Sequence, residues 1–184
     1  SVPVIKEKER VSLFEAWGRF LFEDITAPFN VPPKNNSAMD GYAVISSDTF
    51  SATEASPVKL KVDEEIRAGQ DNDGKLLKSG YAIRIMTGAP IPEGADAVVP
   101  FEDTEETNGV VIIKKSFEKY ENFRFAGEDI KKGEKTLISG TRLDSAEIGL
   151  LASMNISEVT VSRRPEVAII STGDEILEPG NENP

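Results

Sequence analysis

Four short stretches hold the residues most able to do chemistry. Asp40 stands before a glycine in "NNSAMDGYAV", between a polar loop and an apolar run. Thr87 heads the loop of "RIMTGAPIPEGADAVV", where Pro90 and Pro92 fix backbone angles and Gly88 and Gly94 permit unusual ones. Arg124, Glu128 and Asp129 lie in "ENFRFAGEDI", and Glu175 lies in "STGDE", just after the apolar run Val167 to Ile170. Each has a plain reading and a sharper one. Asp40-Gly41 reads as a turn of the hairpin kind, or as a corner that holds a carboxylate for reaction. The Thr87 loop reads as a well-built hairpin connection, or as a pre-organised loop offering a hydroxyl and an N–H to an anion. Glu128-Asp129 behind Gly127 reads as a solvated turn, or as oxygen ligands for a divalent cation. Arg124, between two phenylalanines, binds an anion, stacks on a ring or packs its stem on them. "STGDE" reads as a polar connection, or as a ligand site beyond the carboxyl end of a buried strand.

Composition narrows these choices. The 184 residues contain no cysteine and no histidine. Thiolate zinc sites, cysteine nucleophiles, Ser-His-Asp triads and imidazole acid–base chemistry are excluded within this chain. Carboxylates, hydroxyls, Lys, Arg, Tyr and backbone groups remain, and a bound metal would be oxygen-ligated and magnesium-like. The net charge of -11 repels nucleic acid and anionic membrane, and no basic run offsets it. The apolar runs are too short to span a bilayer. The first residues do not read as a charged-then-apolar leader, and the cytoplasm is the expected location.

Several elements must position these groups. Residues 12–25 read as a helix with a Ser12/Glu15 capping box. Its stripe of Leu13, Trp17, Phe20 and Leu21 is expected in the core, with Gly18 weakening the middle. From Gly41 to about Arg124 the chain is β-rich, with short runs at "YAVISSD", "VKLKVDEEI", "YAIRIM", "ADAVVPF" and "VVIIKKSF". "DNDG" and "TNG" read as hairpin turns, and this spacing suggests a small barrel or sandwich. Residues 144–155 read as a second helix, capped by Asp144 and Glu147 and stopped at Asn155. "EVTVSRRP" reads as a strand. Val167 to Ile170 reads as a parallel strand buried on both faces, opening an α/β domain. One strand cannot cover its own faces, so the chain is expected to be an N-terminal fragment of a longer protein.

Together, "NSAMDGYAV" (36–44), "RIMTGAPIPEGADAVV" (84–99), "GEDI" (127–130) and "RPEVAIISTGDEILEPG" (164–180) resemble the molybdopterin molybdenumtransferase family, the MoeA and gephyrin E-domain group. Lys34 and Asn35 depart from the residues common before "NSAMDG", and Phe123 and Phe125 stand where "ENVRPAGEDI" is usual.

The resemblance implies an α+β, β-rich fold. Residues 1–30 and 131–164 would form a discontinuous dimerisation domain of helix and strand. Residues 31–130 would form an inserted small β-barrel-like domain, and 165–184 the first strand of a truncated α/β, molybdopterin-binding domain. It implies an enzyme of molybdenum cofactor biosynthesis that inserts molybdenum from molybdate into adenylylated molybdopterin and releases AMP, assisted by magnesium. Asp40, Thr87, Asp129 and Glu175 would be catalytic, with Asp40, Asp129 and Glu175 as metal ligands. Ser37, Gly88, Arg124, Thr172, Gly173 and Asp174 would bind substrate. A homodimer and a molybdopterin adenylyltransferase partner are implied, with the site shared across the dimer. The fragment alone is expected to be inactive. The rival reading is a gephyrin-like scaffold that holds a partner's peptide; a magnesium-dependent hydrolase using the same acids lacks a base-and-nucleophile pair.

Overall fold

The computed structural model describes residues 6–67, 69, 74 and 76–173. In chain order the strands are β1 (Lys8–Ser12), β2 (Ile25–Thr26), β3 (Asn36–Ser37), β4 (Gly41–Val44), β5 (Val58–Ile66), β6 (Tyr81–Ile85), β7 (Ala97–Pro100), β8 (Thr104–Thr107), β9 (Val110–Ile113), β10 (Phe123–Arg124), β11 (Lys135–Leu137) and β12 (Glu158–Ser162). A single α-helix, α1 (Ser145–Ser153), is found among the described residues. The backbone divides into two compact units. One comprises the described residues of Asp24–Leu137, the other those of Ser1–Glu23 and Ile138–Pro184.

The larger unit is built on a six-stranded sheet in the order β7-β4-β6-β5-β9-β8. All its pairs are antiparallel except β5 with β6. Alternation along the strands separates two apolar faces. Tyr42, Val44, Leu60, Ala82, Val99, Val111, Ile113 and Phe117 pack on one side. Ala43, Ile66, Leu77, Ile83, Ile85, Ala89 and Val98 pack on the other. The β8–β9 hairpin turns at Asn108 and Gly109, with φ of 53° and 74°. Two consecutive positive φ values make the primed turn that an Asn-Gly pair favours, as read from "TNG". The "DNDG" turn falls largely outside the described residues.

Two loop expectations are corrected. β6 and β7 are not a hairpin, because β4 lies between them and pairs with both. The Thr87 loop is a crossover that carries the chain from beside Gly41 to beside Val44. Nor is Asp40-Gly41 a hairpin turn. β3 pairs with β10, β4 pairs with β6 and β7, and Asp40 sits on the bend between two different sheets. Gly41 is absent from the positive-φ positions. It is required by proximity instead: a Cβ there would lie 2.0 Å from the Val99 carbonyl oxygen.

In the smaller unit β1 pairs with β12 along five residues. Helix α1 is where the spacing puts it, with the Asp144 N–H donating to Glu147 Oε2 at 3.0 Å. Its end is a Schellman motif: Ile156 N–H donates to Leu151 O at 3.0 Å and Asn155 N–H to Ala152 O at 2.9 Å, with Asn155 at φ 55°.

The expected helix over 12–25 does not form. Ser12 and Glu15 do pair, Ser12 Oγ to Glu15 Oε2 at 2.7 Å, but they close a single turn. Gly18 follows at φ 74°, outside the helical range. The backbone donors then go to distant partners: Gly18 to Leu143 O, Leu21 to Thr141 O and Phe22 to Thr160 O. Of the aromatic stripe, Trp17 and Phe20 are exposed and only Leu21 is fully buried. Val167 to Ile170 forms no strand either, and Val167, Ile169 and Ile170 are exposed. A strand needs a partner for its backbone and cover for both faces, and the described residues offer this run neither.

Candidate functional site

The carboxylate of Asp40 is held by the loop that the crossover creates. Asp40 Oδ1 accepts two hydrogen bonds from Thr87, one from the backbone N–H and one from the hydroxyl, both at 2.7 Å. The two donors expected to serve an external anion are thus turned on the protein's own carboxylate. They hold the Asp40 carboxyl below the usual carboxylate range, the backbone N–H being the larger cause. The side chain is exposed, so this is local hydrogen bonding and not burial.

Ser37 and Gly88 belong to the same corner. Gly88 N–H donates to Ser37 O at 2.9 Å, and Ser37 N–H donates to Ala89 O at 3.0 Å. The buried Ser37 hydroxyl bonds to Met39 O at 2.5 Å, bracing the bend that leads into Asp40. β3 continues the assembly on its other side, since Ser37 pairs with Phe123 and Asn36 with Arg124. Arg124 Nη2 donates to both oxygens of Asp129, at 2.7 and 2.6 Å. Asp129 is fixed in turn by its N–H to Val31 O at 3.0 Å.

Asp40, Thr87, Ser37 and Gly88 therefore meet directly, and Arg124 with Asp129 joins them through β3. Thr172 and Gly173 lie in the other unit, exposed and outside any strand. Asp174 and Glu175 lie outside the described residues. Among the described residues no group of three acidic side chains is placed to hold a metal ion. Asp129 is engaged through both oxygens and Asp40 through one, so these residues do not fit a cation site by themselves.

Residues 1–155 match the MoeA N-terminal region (domain I and II). The chain belongs to this family. It is 43% identical over 168 residues to the molybdopterin molybdenumtransferase of Staphylococcus epidermidis, covering 91% of the chain and 40% of that protein. It is 44% identical over 175 residues to the Bacillus subtilis protein of the same name, covering 93% and 40%. A crystal structure of the molybdopterin biosynthesis MoeA protein from Pyrococcus horikoshii superposes with a TM-score of 0.89 at 40% identity, over 97% of this chain and 47% of that one. The chain thus spans about two-fifths of the length of the curated relatives it matches. The match to MoeA structures accords with the mostly β fold and its curled sheet.

Within this MoeA N-terminal region, sequence reasoning missed a second polar group beside Asp40. Tyr42 and Arg84 are cross-strand partners on β4 and β6, and both donate to Glu106 Oε2 on β8. These donors, Tyr42 first and Arg84 second, hold the Glu106 carboxyl below its ordinary range. Burial, and then the bond to Glu106, raises the Tyr42 phenol. The readable signal was the one cation in the apolar run "YAIRIM". Asn36 was missed as well. Its Oδ1 is buried with no hydrogen-bond partner, on a residue that pairs with Arg124 on one side and bridges to Pro90.

Proposed function

We propose that this chain works in molybdenum cofactor biosynthesis, as part of an enzyme that inserts molybdenum from molybdate into adenylylated molybdopterin and releases AMP. The observation that carries the reading is the Asp40–Thr87 pair, fixed on the bend before β4. It is supported by relatives named molybdopterin molybdenumtransferase that align along nine-tenths of the chain. Asp40, Thr87, Asp129 and Glu175 are the proposed catalytic residues. Ser37, Gly88, Arg124, Thr172, Gly173 and Asp174 are the proposed substrate contacts.

The chemistry sets what Asp40 does. Molybdate and the nucleotide are anions and would be repelled by a bare carboxylate. Asp40 is ionised well below neutrality, so it is a poor proton donor at physiological pH. Its role is to accept: a hydrogen bond from a protonated oxo group or from a water leaving molybdenum. Arg124 offers donors to an anionic oxygen group, since only Nη2 of its guanidinium is given to Asp129, whose carboxylate offsets its charge. Magnesium on Asp40, Asp129 and Glu175 remains an expectation from the family resemblance. The described residues do not form its ligand set.

The homodimer is proposed for the smaller unit. Its support is apolar surface: Phe14 is 99% exposed and Trp17 62%. The domain limits at 1–30 with 131–164, at 31–130 and at 165–184 are proposed with it. A cytoplasmic location and a molybdopterin adenylyltransferase partner belong to the same reading. No helix among the described residues is long and apolar enough to cross a membrane.

The test is molybdate-dependent AMP release from adenylylated molybdopterin, comparing the full-length protein with its Asp40→Ala variant. Activity in the first and loss in the folded second is the expected result. Equal activity makes the pair structural. An inactive but folded full-length protein moves the gephyrin-like scaffold reading ahead. The chain of residues 1–184 alone is expected not to turn over, because Glu175 and its neighbours act with the α/β domain.

A further inference from the structure

β8 is the far edge of the six-stranded sheet, four strand steps from β4. In a flat sheet that separation is about 19 Å. Yet Glu106 on β8 accepts from the Tyr42 hydroxyl on β4 and from Arg84 on β6, through the same oxygen. The sheet curls until its edge strand reaches back over its middle, and this carboxylate closes the curl. The connection allows it, because a three-residue 3-10 turn, Phe101–Asp103, leads from β7 at one edge to β8 at the other.

Both donors lie next to the site in sequence. Tyr42 follows Asp40 by two residues, and Arg84 precedes Thr87 by three. Phe101 adds a third tether: its N–H donates to Asp40 O at 3.1 Å. Its ring meets Tyr42 edge-on at 5.2 Å and lies 5.8 Å from the Arg84 guanidinium.

We propose that Glu106 is a positioning residue, whose carboxylate cross-braces the strand that begins just after Asp40 and the strand that ends just before Thr87, and so holds the double hydrogen bond between these two residues. Glu106 is not among the hydrogen-bond partners of either residue. It acts by fixing the register and tilt of β4 against β6 at the ends from which Asp40 and Thr87 project. Without it, the hydroxyl of Tyr42, a residue 2% exposed, loses its acceptor, and Arg84 loses its counter-charge beside two aromatic rings. The inference rests on the reading that the Asp40–Thr87 pair belongs to the active site.

The test reads Thr87 itself, by NMR of the full chain. In Glu106→Ala, the Thr87 amide should exchange at least tenfold faster and its proton should move upfield, while β5 amides keep their protection. Glu106→Gln, which retains an oxygen acceptor, should restore most of both signals. If Glu106→Ala does not fold, Tyr42→Phe removes one tether without touching β8 and should shift Thr87 in the same sense. A folded variant whose Thr87 signals are unchanged, or change only in step with the β5 amides, overturns the proposal. Failure of the functional reading looks different. There the brace still governs Thr87, but Asp40→Ala leaves AMP release by the full-length protein intact.

Discussion

Thr87 gives both its backbone N–H and its hydroxyl to one oxygen of Asp40, each at 2.7 Å. The pair joins a strand start to a crossover loop 47 residues away. It makes the protonation state of Asp40 a measure of the loop's position.

Thr87→Val keeps the shape and the N–H and removes the hydroxyl. The N–H is the larger cause of the lowered pKa, so the Asp40 carboxyl should rise only part of the way to its ordinary value. A carboxyl whose folded pKa lies below its unfolded one contributes stability above the unfolded pKa and loses it as pH falls through the folded one. The stability gap between Thr87→Val and the parent should therefore be open at neutral pH and narrow in acid. Carboxyl carbon NMR titration and urea unfolding at two pH values check both parts. A gap that widens in acid contradicts the assignment.

Gly41 and Gly109 separate two reasons for a glycine. At Gly41 a Cβ would meet the Val99 carbonyl at 2.0 Å, so Gly41→Ala must push β4 from β7. The expected cost is about 3 kcal/mol, the upper range for overpacking a core. At Gly109 a Cβ meets nothing within 4 Å, but φ is 74°. Gly109→Ala should cost about 1 kcal/mol, from the backbone alone. Urea midpoints at constant slope distinguish them.

Helix α1 ends on Asn155 in the left-handed region at φ 55°. Asn155→Gly should leave stability unchanged or raise it by about 0.5 kcal/mol, while Asn155→Ala should lower it by about 1 kcal/mol. Thermal melts of the three chains give the order. A destabilised Asn155→Gly would mean that the side chain matters more than the backbone angle.

Much of this architecture was legible where local rules suffice. β5 is Val58–Ile66, the run "VKLKVDEEI" itself, because alternation and β-branching act within the strand. The Asn108-Gly109 turn and the Asp144/Glu147 capping box are equally local. Reading failed where long-range pairing won. Ser12 and Glu15 keep their capping contact, but the N–H groups of Leu13, Gly18, Leu21 and Phe22 are claimed by Ser157, Leu143, Thr141 and Thr160, more than a hundred residues on, and the helix is lost. Two-residue strands such as β3 and β10 carry no periodicity, yet they set Asn36 and Ser37 against Arg124 and Phe123. Of the candidate site, Asp40, Thr87, Asp129 and Arg124 were readable from their motifs. That Thr87 serves Asp40 was not, since it depends on β6 and β7 flanking β4. Glu106 was hidden for a related reason: a glutamate in "TEET" looks like any solvated acid until the sheet curls.

Arg124 and Asp129 give the sharpest test of chemistry against scaffolding. Their side chains are 41% and 48% exposed, so the ion pair should contribute less than about 1 kcal/mol to stability. Asp129→Asn should therefore melt close to the parent, yet lower molybdate-dependent AMP release by the full-length protein at least tenfold. Arg124→Lys asks which part of the arginine matters. Both bonds to Asp129 come from Nη2, and a lysine ammonium can replace that single contact. It cannot replace Nη1 and Nε, whose planar donors suit an anionic oxygen group. If the pair exists only to hold Asp129, Arg124→Lys should retain near-parental rates. If Arg124 also receives the substrate anion, Arg124→Lys should raise KM more than it lowers kcat while the melting curve stays in place. A lysine variant that loses stability by several kcal/mol would instead make Arg124 part of the β3–β10 scaffold, and its substrate role would be withdrawn.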